Sequence, residues 1–596
     1  MRRHRHPAPA ERTLRIRRFA PALLIALTLL LGMPAVALAH ALLIRSNPPA
    51  DALLSRSPSR IEMWFTEDLS PGASKAIVWD RYRHVFNEGT GRIAPHDSRE
   101  LIVPVRHLHP GTYLVLWTSV SAVDGHVLRG SFVFSVKVRG PGPSLAGVST
   151  GTGQTFPDAT TLLALLAHWI ELLAAVSWAG AVALFLFVLT PIAGAGDGPS
   201  AGAGRRARRL IIGTIAALII ASTVMLATQA FQIGGGWAGI LAPSTLTSLF
   251  QEQYGRLWAA RQVVALVGLL LALLWTVRSE RTRPLVPAAS LVVAAAYLYL
   301  LAASGHLAAA NVGPAPDPYS RLVSAGILDD WAHLIADALW LGGQVAIAVA
   351  LVPLLFLPGA SLGPARFLRA LDRFSPLAYA SVATYMISGF VTAKVQIPSW
   401  YAYFNSIYGR ALIIKMLLIG LMMLISVVTV FVLRPRLKRA IQSGRFEGWR
   451  TANGSRLLRL LRVNPVLGVG VLLATSVMFY YPVPLGFAPP GPAAYVAHTA
   501  GMTASLRIAP DRSGPNTLYV TLRNAQGAPV SRAHVVVLTT MLDMVMGTGV
   551  ASLKETAPGS FSGLTDLGMG GHWRLQILIY TPNGLSRTSV DVLVGA

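Results

Sequence analysis

The chain contains no cysteine. That excludes disulfides, thiolate metal sites, iron–sulfur clusters and cysteine nucleophiles. Any metal must be held by His, Asp, Glu, Met or the chain's own amine. Charge is scarce too. Only 13 % of residues are charged, against about 25 % in average soluble domains. A hydrophobic fraction of 53 % accompanies this deficit, and long apolar runs in the middle of the chain explain it. Acidic residues are the scarcer sign, 26 against 51 Lys and Arg, for a net charge of +25. The basic residues cluster between apolar runs, so they read as topological charge, and nucleic acid is not an expected partner. No Walker motif is present, so ATP-driven pumping has no support.

Residues 1–39 read as a cleaved secretory signal. Arg2, Arg3, Arg5, Arg12, Arg15, Arg17 and Arg18 form a basic n-region, and an apolar stretch runs from about Ala22 to Leu31. Ala37-Leu38-Ala39 is a small-x-small cleavage site. The alternative is an uncleaved anchor helix. Cleavage after Ala39 makes His40 the first mature residue. Its free amine and ring Nδ1 can then chelate one ion, and nitrogen donors in a tetragonal set suit Cu(II).

Residues 40–140 carry β-branched and aromatic runs, such as Thr112-Tyr113-Leu114-Val115-Leu116-Trp117 and Ser131-Phe132-Val133-Phe134-Ser135-Val136. Turn pairs such as Pro110-Gly111 and Asp124-Gly125 separate them. About 100 residues with closely spaced strands predict a β-sandwich. Residues 141–160 read as a linker. The region 484–596, with His534-Val535-Val536-Val537-Leu538 and Trp573-Arg574-Leu575-Gln576-Ile577-Leu578-Ile579, predicts a second β-sandwich.

Between them, 161–483 predicts an eight-helix transmembrane bundle. Apolar segments near 161–190, 209–232, 257–277, 285–304, 329–357, 374–394, 410–433 and 464–482 are each long enough to span a bilayer. Basic connections alternate with poorly charged ones. Arg205, Arg206, Arg208 and Arg209 follow the first segment, and Arg434, Arg436, Lys438 and Arg439 follow the seventh. The positive-inside rule puts the basic loops in the cytoplasm and both terminal domains outside. The bundle also reads as a 4+4 parallel repeat. Tyr254-Gly255-Arg256 with Arg261 recurs as Tyr408-Gly409-Arg410 with Lys415. His168 before Trp178-x-Gly180 resembles His333 before Trp340-x-Gly342.

Three constellations could carry chemistry. In the first, His40 joins Asp124 and His126, which flank a permissive glycine. Three nitrogens and one oxygen match square-planar Cu(II). The second consists of ionisable groups inside apolar segments, which are functional candidates by default. They are His168 and Glu171 on one helix face, His333 and Asp337 on another, His306 at an outer helix end, and Asp330. The structural alternative is interfacial hydrogen bonding. The third is Met541, Met544, Met546, Met569 and His572, where thioethers suit Cu(I) and core filling is the alternative.

At the level of families, His40-Ala41, Ser46-Asn47-Pro48-Pro49-Ala50-Asp51, Trp64-Phe65-Thr66-Glu67 and Ser119 to His126 closely resemble the CopC family of periplasmic copper-binding proteins. The resemblance implies a Cu(II) site at His40, Asp124 and His126, with Glu67 as an orienting carboxylate. Some members carry a Met-rich Cu(I) site. Here Met63 is the domain's only Met and lies in an expected strand, so no second site is expected there, and His84, His96, His107 and His109 read as surface residues. Ser304-Gly305-His306, His333 with Trp340-Leu341-Gly342-Gly343, and Tyr408-Gly409-Arg410 with Lys415 resemble the CopD family of copper-resistance membrane proteins. Met544-Val545-Met546-Gly547 and Gly568 to Trp573 resemble YtkA-like domains. Together these resemblances imply a transporter that captures Cu(II) outside and moves copper across the plasma membrane, for uptake or resistance, with periplasmic copper chaperones as partners. A haem-binding redox protein using His168, His306 and His333 as axial ligands, or a copper-dependent oxidative enzyme, is the alternative.

Overall fold

The computed structural model describes residues 41–138, 159–192, 201–275, 285–305, 325–353, 363–481, 494–511, 514–542, 548–567 and 571–595, less 42, 50–51, 123–126, 235, 252, 398–399, 500 and 583. The expected signal, the linker and residues His40, Asp124, His126, His306, Met544, Met546 and Met569 lie outside the described residues.

The N-terminal domain is the expected two-sheet stack. One sheet has the order β1 (Leu43–Asn47), β3 (Arg60–Phe65), β6 (Asp97–Pro104), β5 (Arg92–Ala94). The other has β2 (Leu53–Leu54), β8 (Val127–Val136), β7 (Gly111–Val120), β4 (Lys75–Trp79). Alternation sends Ile61, Met63 and Phe65 of β3 and Val115 and Trp117 of β7 into one core. Phe65 meets Trp117 edge-on at 5.4 Å. Met63 is fully buried there, as its place in a strand implied.

Ten helices follow among the described residues. They are α1 (Ala159–Leu184, continuing to Ile192), α2 (Ala201–Gly234), α3 (Pro243–Gln251), α4 (Gln253–Leu274), α5 (Leu285–Ala302), α6 (Ala325–Asp337, continuing to Leu351), α7 (Pro364–Gln396), α8 (Trp400–Asn405), α9 (Ile407–Val428, continuing to Gln442) and α10 (Phe446–Tyr480). Seven are long and apolar enough to cross a membrane: α1, α2, α4, α5, α6, α9 and α10. The remaining expected span, 374–394, lies in α7. That helix is 33 residues long but is diluted by Arg366, Arg369, Asp372, Arg373 and several hydroxyl residues. Two helices form the bundle's centre. In α1 and α6, 78 % and 61 % of the apolar window is buried, against 22–39 % in the other five. They cross at Gly180 and Gly342, where a Cβ on either would collide with the other helix's backbone. Only glycine permits that approach.

The C-terminal domain departs from the expected sandwich. It is one eight-stranded sheet in the order β16 (Gly584–Val594), β15 (Gly571–Thr581), β12 (His534–Met541), β13 (Thr548–Ala557), β14 (Ser560–Leu567), β11 (Gly514–Asn524), β10 (Met502–Ala509), β9 (Tyr495–Thr499). The cause is β13. Its residues 548–553 pair with β12 and its residues from Lys554 onward pair with β14, so one strand serves two sheets. Beyond the hand-over, its pairing with β14 shifts register between Glu555 and Ala557. The free edges then meet: Thr499 Oγ1 donates to the Arg587 carbonyl at 3.1 Å and Thr588 Oγ1 to the His498 carbonyl at 3.2 Å. The sheet is nearly a closed barrel.

Candidate functional site

In the N-terminal domain, three backbone segments converge at one end of the sandwich. Ser119 Oγ donates to the Ala41 carbonyl at 2.7 Å, which ties down the residue after His40. Ala122 N–H donates to the Asp68 carbonyl at 2.9 Å, and Ser70 N–H to the Val120 carbonyl at 2.7 Å. Leu69 bridges Ser121. The segment holding Glu67 is thereby stitched to the strand end that leads into 123–126. Glu67 is 3 % exposed, so it is a carboxylate enclosed beside that loop, not a surface acid. Asp68 accepts from Ser98 Oγ at 2.6 Å. The strand pair β7–β8 flanking residues 123–126 is held in register up to Val120 and Val127. Its near end also touches the bundle: Tyr254 N–H of α4 donates to the Ala122 carbonyl at 3.3 Å. The first N–H groups of a helix have no partner inside it, and the hairpin supplies one.

The other histidines of this domain are elsewhere. His84, His96, His107 and His109 are exposed. His84 Nδ1 lies 3.1 Å from Asp80 Oδ2. Burial pushes the Asp80 carboxyl up, but bonds from the His84 N–H and ring and from the Tyr82 N–H outweigh it and hold the group low.

In the bundle, all four described candidates of the His/acid pairs sit on the two central helices. His168 Nδ1 is 3.1 Å from Ser476 Oγ of α10, and its ring stacks on Phe479 at 4.2 Å. Glu171, one turn on, faces another way. Its Oε1 accepts from Tyr297 OH at 2.6 Å and pairs with Arg261 at 3.3 Å, and both Glu171 and Arg261 are almost fully enclosed. On α6, His333 Nδ1 is 2.6 Å from Ser388 Oγ, and its ring lies 4.1 Å from that of Tyr385. Asp337 is buried. Lys415 Nζ lies 5.5 Å from the Tyr385 ring centroid and within electrostatic reach of Asp330 and Asp337. Asp330 Oδ2 sits against Gly305, next to the position of His306; a Cβ at Gly305 would be 3.2 Å from it. The shared helix face therefore does not bring His168 and Glu171 to one point, whereas His333 and Asp337 have Tyr385 and Lys415 as common neighbours. Among the described residues, no three His, Asp or Glu side chains converge as metal ligands.

Arg261, Tyr297, Ser388, Tyr385 and Lys415 complete these sites, and the search for His and acid pairs did not single them out as site residues. The signal for two of them was present in the Arg261/Lys415 recurrence. Hydroxyl residues in apolar helices leave none.

In the C-terminal domain, Met541 is buried in the core at the end of β12. It is opposite Trp573, and Leu542 N–H donates to the His572 carbonyl at 2.7 Å. This brings the two ends of the 543–547 and 568–570 segments together. His572 itself is exposed.

Comparison with known proteins finds four family matches in order along the chain. The CopC domain matches residues 43–137, the copper resistance protein D-like N-terminal domain 158–315, copper resistance protein D 368–478, and the YtkA-like domain 502–578. The copper transport protein CutJ of Bacillus subtilis (strain 168) is 25 % identical over 570 residues, covering 93 % of this chain and 95 % of the relative. The inner membrane protein YebZ of Escherichia coli (strain K12) is 30 % identical over 225 residues, 37 % of this chain and 69 % of the relative. Protein YobA of the same strain is 37 % identical over 100 residues, 17 % of this chain and 80 % of the relative. The crystal structure of CopC from Methylosinus trichosporium OB3b is 25 % identical, covers 16 % of this chain and 93 % of that one, and has a TM-score of 0.15. With both membrane-domain matches lying between a CopC domain and a YtkA-like one, the chain belongs to the CopC/CopD family of copper-resistance proteins.

Proposed function

We propose that the chain captures Cu(II) outside the cytoplasm and moves copper across the bacterial plasma membrane, as a transporter and not an enzyme. Copper is the cargo. The His40 amine and ring, Asp124 and His126 hold it as Cu(II), and Glu67 orients the donors. The observation that carries this reading is the convergence of Ala41, Glu67–Ser70 and Ser119–Ala122, with the same hairpin seated on α4. The Tyr254–Ala122 hydrogen bond supports a capture site near an end of the bundle.

Copper then passes along a route lined by His168, Glu171, His306, His333 and Asp337. The bilayer step uses Cu(I) or Cu(II), and His572 with Met544, Met546 and Met569 is a soft-donor acceptor at the C-terminal domain. Both terminal domains lie outside, which agrees with the basic loops, and periplasmic chaperones supply the ion. A 4+4 parallel repeat belongs to this reading, supported by the recurrence of Tyr254-Gly255-Arg256 with Arg261 as Tyr408-Gly409-Arg410 with Lys415.

Two measurements test this. Copper accumulation in cells carrying His333→Ala should fall well below wild type, and unchanged accumulation would remove the assigned route. Mass spectrometry should find a mature chain starting at His40. A retained signal would remove the amine ligand and the Cu(II) geometry with it.

A further inference from the structure

The sheet β2-β8-β7-β4 has two faces, and only one belongs to its own core. Val115, Trp117, Phe132 and Phe134 point into the sandwich. Leu114 and Val133 are cross-strand partners on the opposite face, where a free two-sheet domain would be wet. Yet they are 0 % and 2 % exposed. Their cover is the outer face of the C-terminal sheet: Val536 and Leu538 of β12, Val550 of β13 and Leu578 of β15 form one apolar cluster with them. Strands β8 and β13 approach each other directly. These residues are again cross-strand partners, Val536 with Leu578 and Leu538 with Val550. Their sequence neighbours Val535, Val537, Ile577 and Ile579 fill the domain's own core. The consecutive apolar runs Val535-Val536-Val537-Leu538 and Ile577-Leu578-Ile579 thus have a physical reason: the sheet is covered on both faces, and covered sheets lose the polar half of the alternation. Aromatic side chains of both domains, Trp79 and Tyr580, rim the patch.

We propose that the C-terminal domain is a built-in partner of the N-terminal domain, an apolar clamp that holds the end of β7, at Ser121 and Ala122, in place on α4. The hairpin domain is gripped at two points, by the β-sheet face and by the Tyr254–Ala122 hydrogen bond. With both domains also joined covalently to the bundle, the chain closes a ring. Its consequence for copper movement rests on the transport reading; the interface itself does not.

The absence of cysteine makes the test direct. Single reporters Val133→Cys and Val550→Cys, placed one on each side of the interface in the full-length chain, are exposed to a membrane-impermeant maleimide. Tyr82→Cys, at a position 68 % exposed, sets the unprotected rate. Both reporters should label roughly tenfold or more slowly than Tyr82→Cys, as expected where an amide or thiol reacts only on local opening. Adding Leu578→Glu should bring the Val133→Cys rate up to that of Tyr82→Cys, and Leu114→Glu should do the same for Val550→Cys. Leu578→Met, which conserves volume, should keep the protection. Reporters that label at the Tyr82→Cys rate in the otherwise native chain overturn the interface, as does protection that survives both charged variants. Cu(II) bound per chain should be unchanged in Leu578→Glu, while copper accumulation falls. Accumulation that stays at wild type after protection is lost overturns the clamp's role and leaves the outcome of His333→Ala untouched.

Discussion

Glu171 shows what a single residue costs inside a membrane bundle. Its carboxylate is enclosed with the Arg261 guanidinium and the Tyr297 hydroxyl. Removing one partner strands the other charge, which typically costs about 3–5 kcal/mol. Glu171→Gln should therefore lower the thermal midpoint of the purified protein sharply. The double variant Glu171→Leu with Arg261→Met should recover most of the loss, since apolar replacement of a buried pair is often close to neutral. A double variant as unstable as the single one would assign the pair a role beyond charge compensation. Glu62 makes the complementary case in the N-terminal domain. A bond from Asn47 Nδ2 at 2.8 Å lowers its carboxyl; burial works against this, and Arg60 Nε at 2.6 Å adds to it. A depressed carboxyl adds stability above its unfolded value and loses it as pH falls through the folded one. Protection factors in β3 and β6, taken relative to the intrinsic exchange rate at each pH, should fall on acidification below about pH 4.5, and Glu62→Gln should flatten that dependence. The same acid response in the variant would clear Glu62 of the effect. The candidate residues themselves were legible because ionisable groups stand out in apolar text. Their hydroxyl and aromatic partners were not, because Ser388 and Tyr385 are unremarkable in sequence.

Among the helices, α1 and α6 decide the bundle. They are the most buried of the spans, each carries one His/acid pair, and they meet at glycines. Gly180→Ala would drive a methyl into the Gly342 backbone. Overpacking of this kind costs about 1–3 kcal/mol. Gly213 of α2, with open space around its missing Cβ, should respond the opposite way. Gly213→Ala removes a backbone-entropy cost of about 0.5–1 kcal/mol. Thermal midpoints of the two variants side by side check the sign; equal shifts would remove the argument from close approach. Helix positions were readable because hydrophobic length alone sets them. Segment 374–394 lies within α7 as an expected helix, but its serine, threonine and tyrosine content makes it less apolar than its neighbours. The shared strand β13 was not readable: its change of partner between Leu553 and Lys554 depends on which strands flank it, and neighbouring residues do not encode that.

For the whole molecule, contact between the two terminal domains requires both to lie on one side of the membrane, as the charge pattern of the loops independently suggests. Single cysteines at Tyr82 and Leu564, which are exposed in the N-terminal and C-terminal domains, should be reached by the same impermeant reagent in intact cells. Reactivity of one domain only would break both the topology and the clamp.

Sequence by itself determined the parts and their order: two β domains around an apolar helical region, the positions of the helices, and the family. These follow from local quantities, namely hydropathy, alternation and short motifs. Tertiary structure decided how the parts meet. It parted His168 from Glu171 by giving them partners on different helices. It closed the C-terminal sheet into a near-barrel and covered the outward faces of β7 and β12 with each other. It also set Ala122, just past the end of β7, on the first turn of α4. His40 drew attention as one residue at a cleavage site, and its neighbour Ala41 is tied to the same strand. Such pairings depend on residues far apart in the chain, so no local pattern carries them.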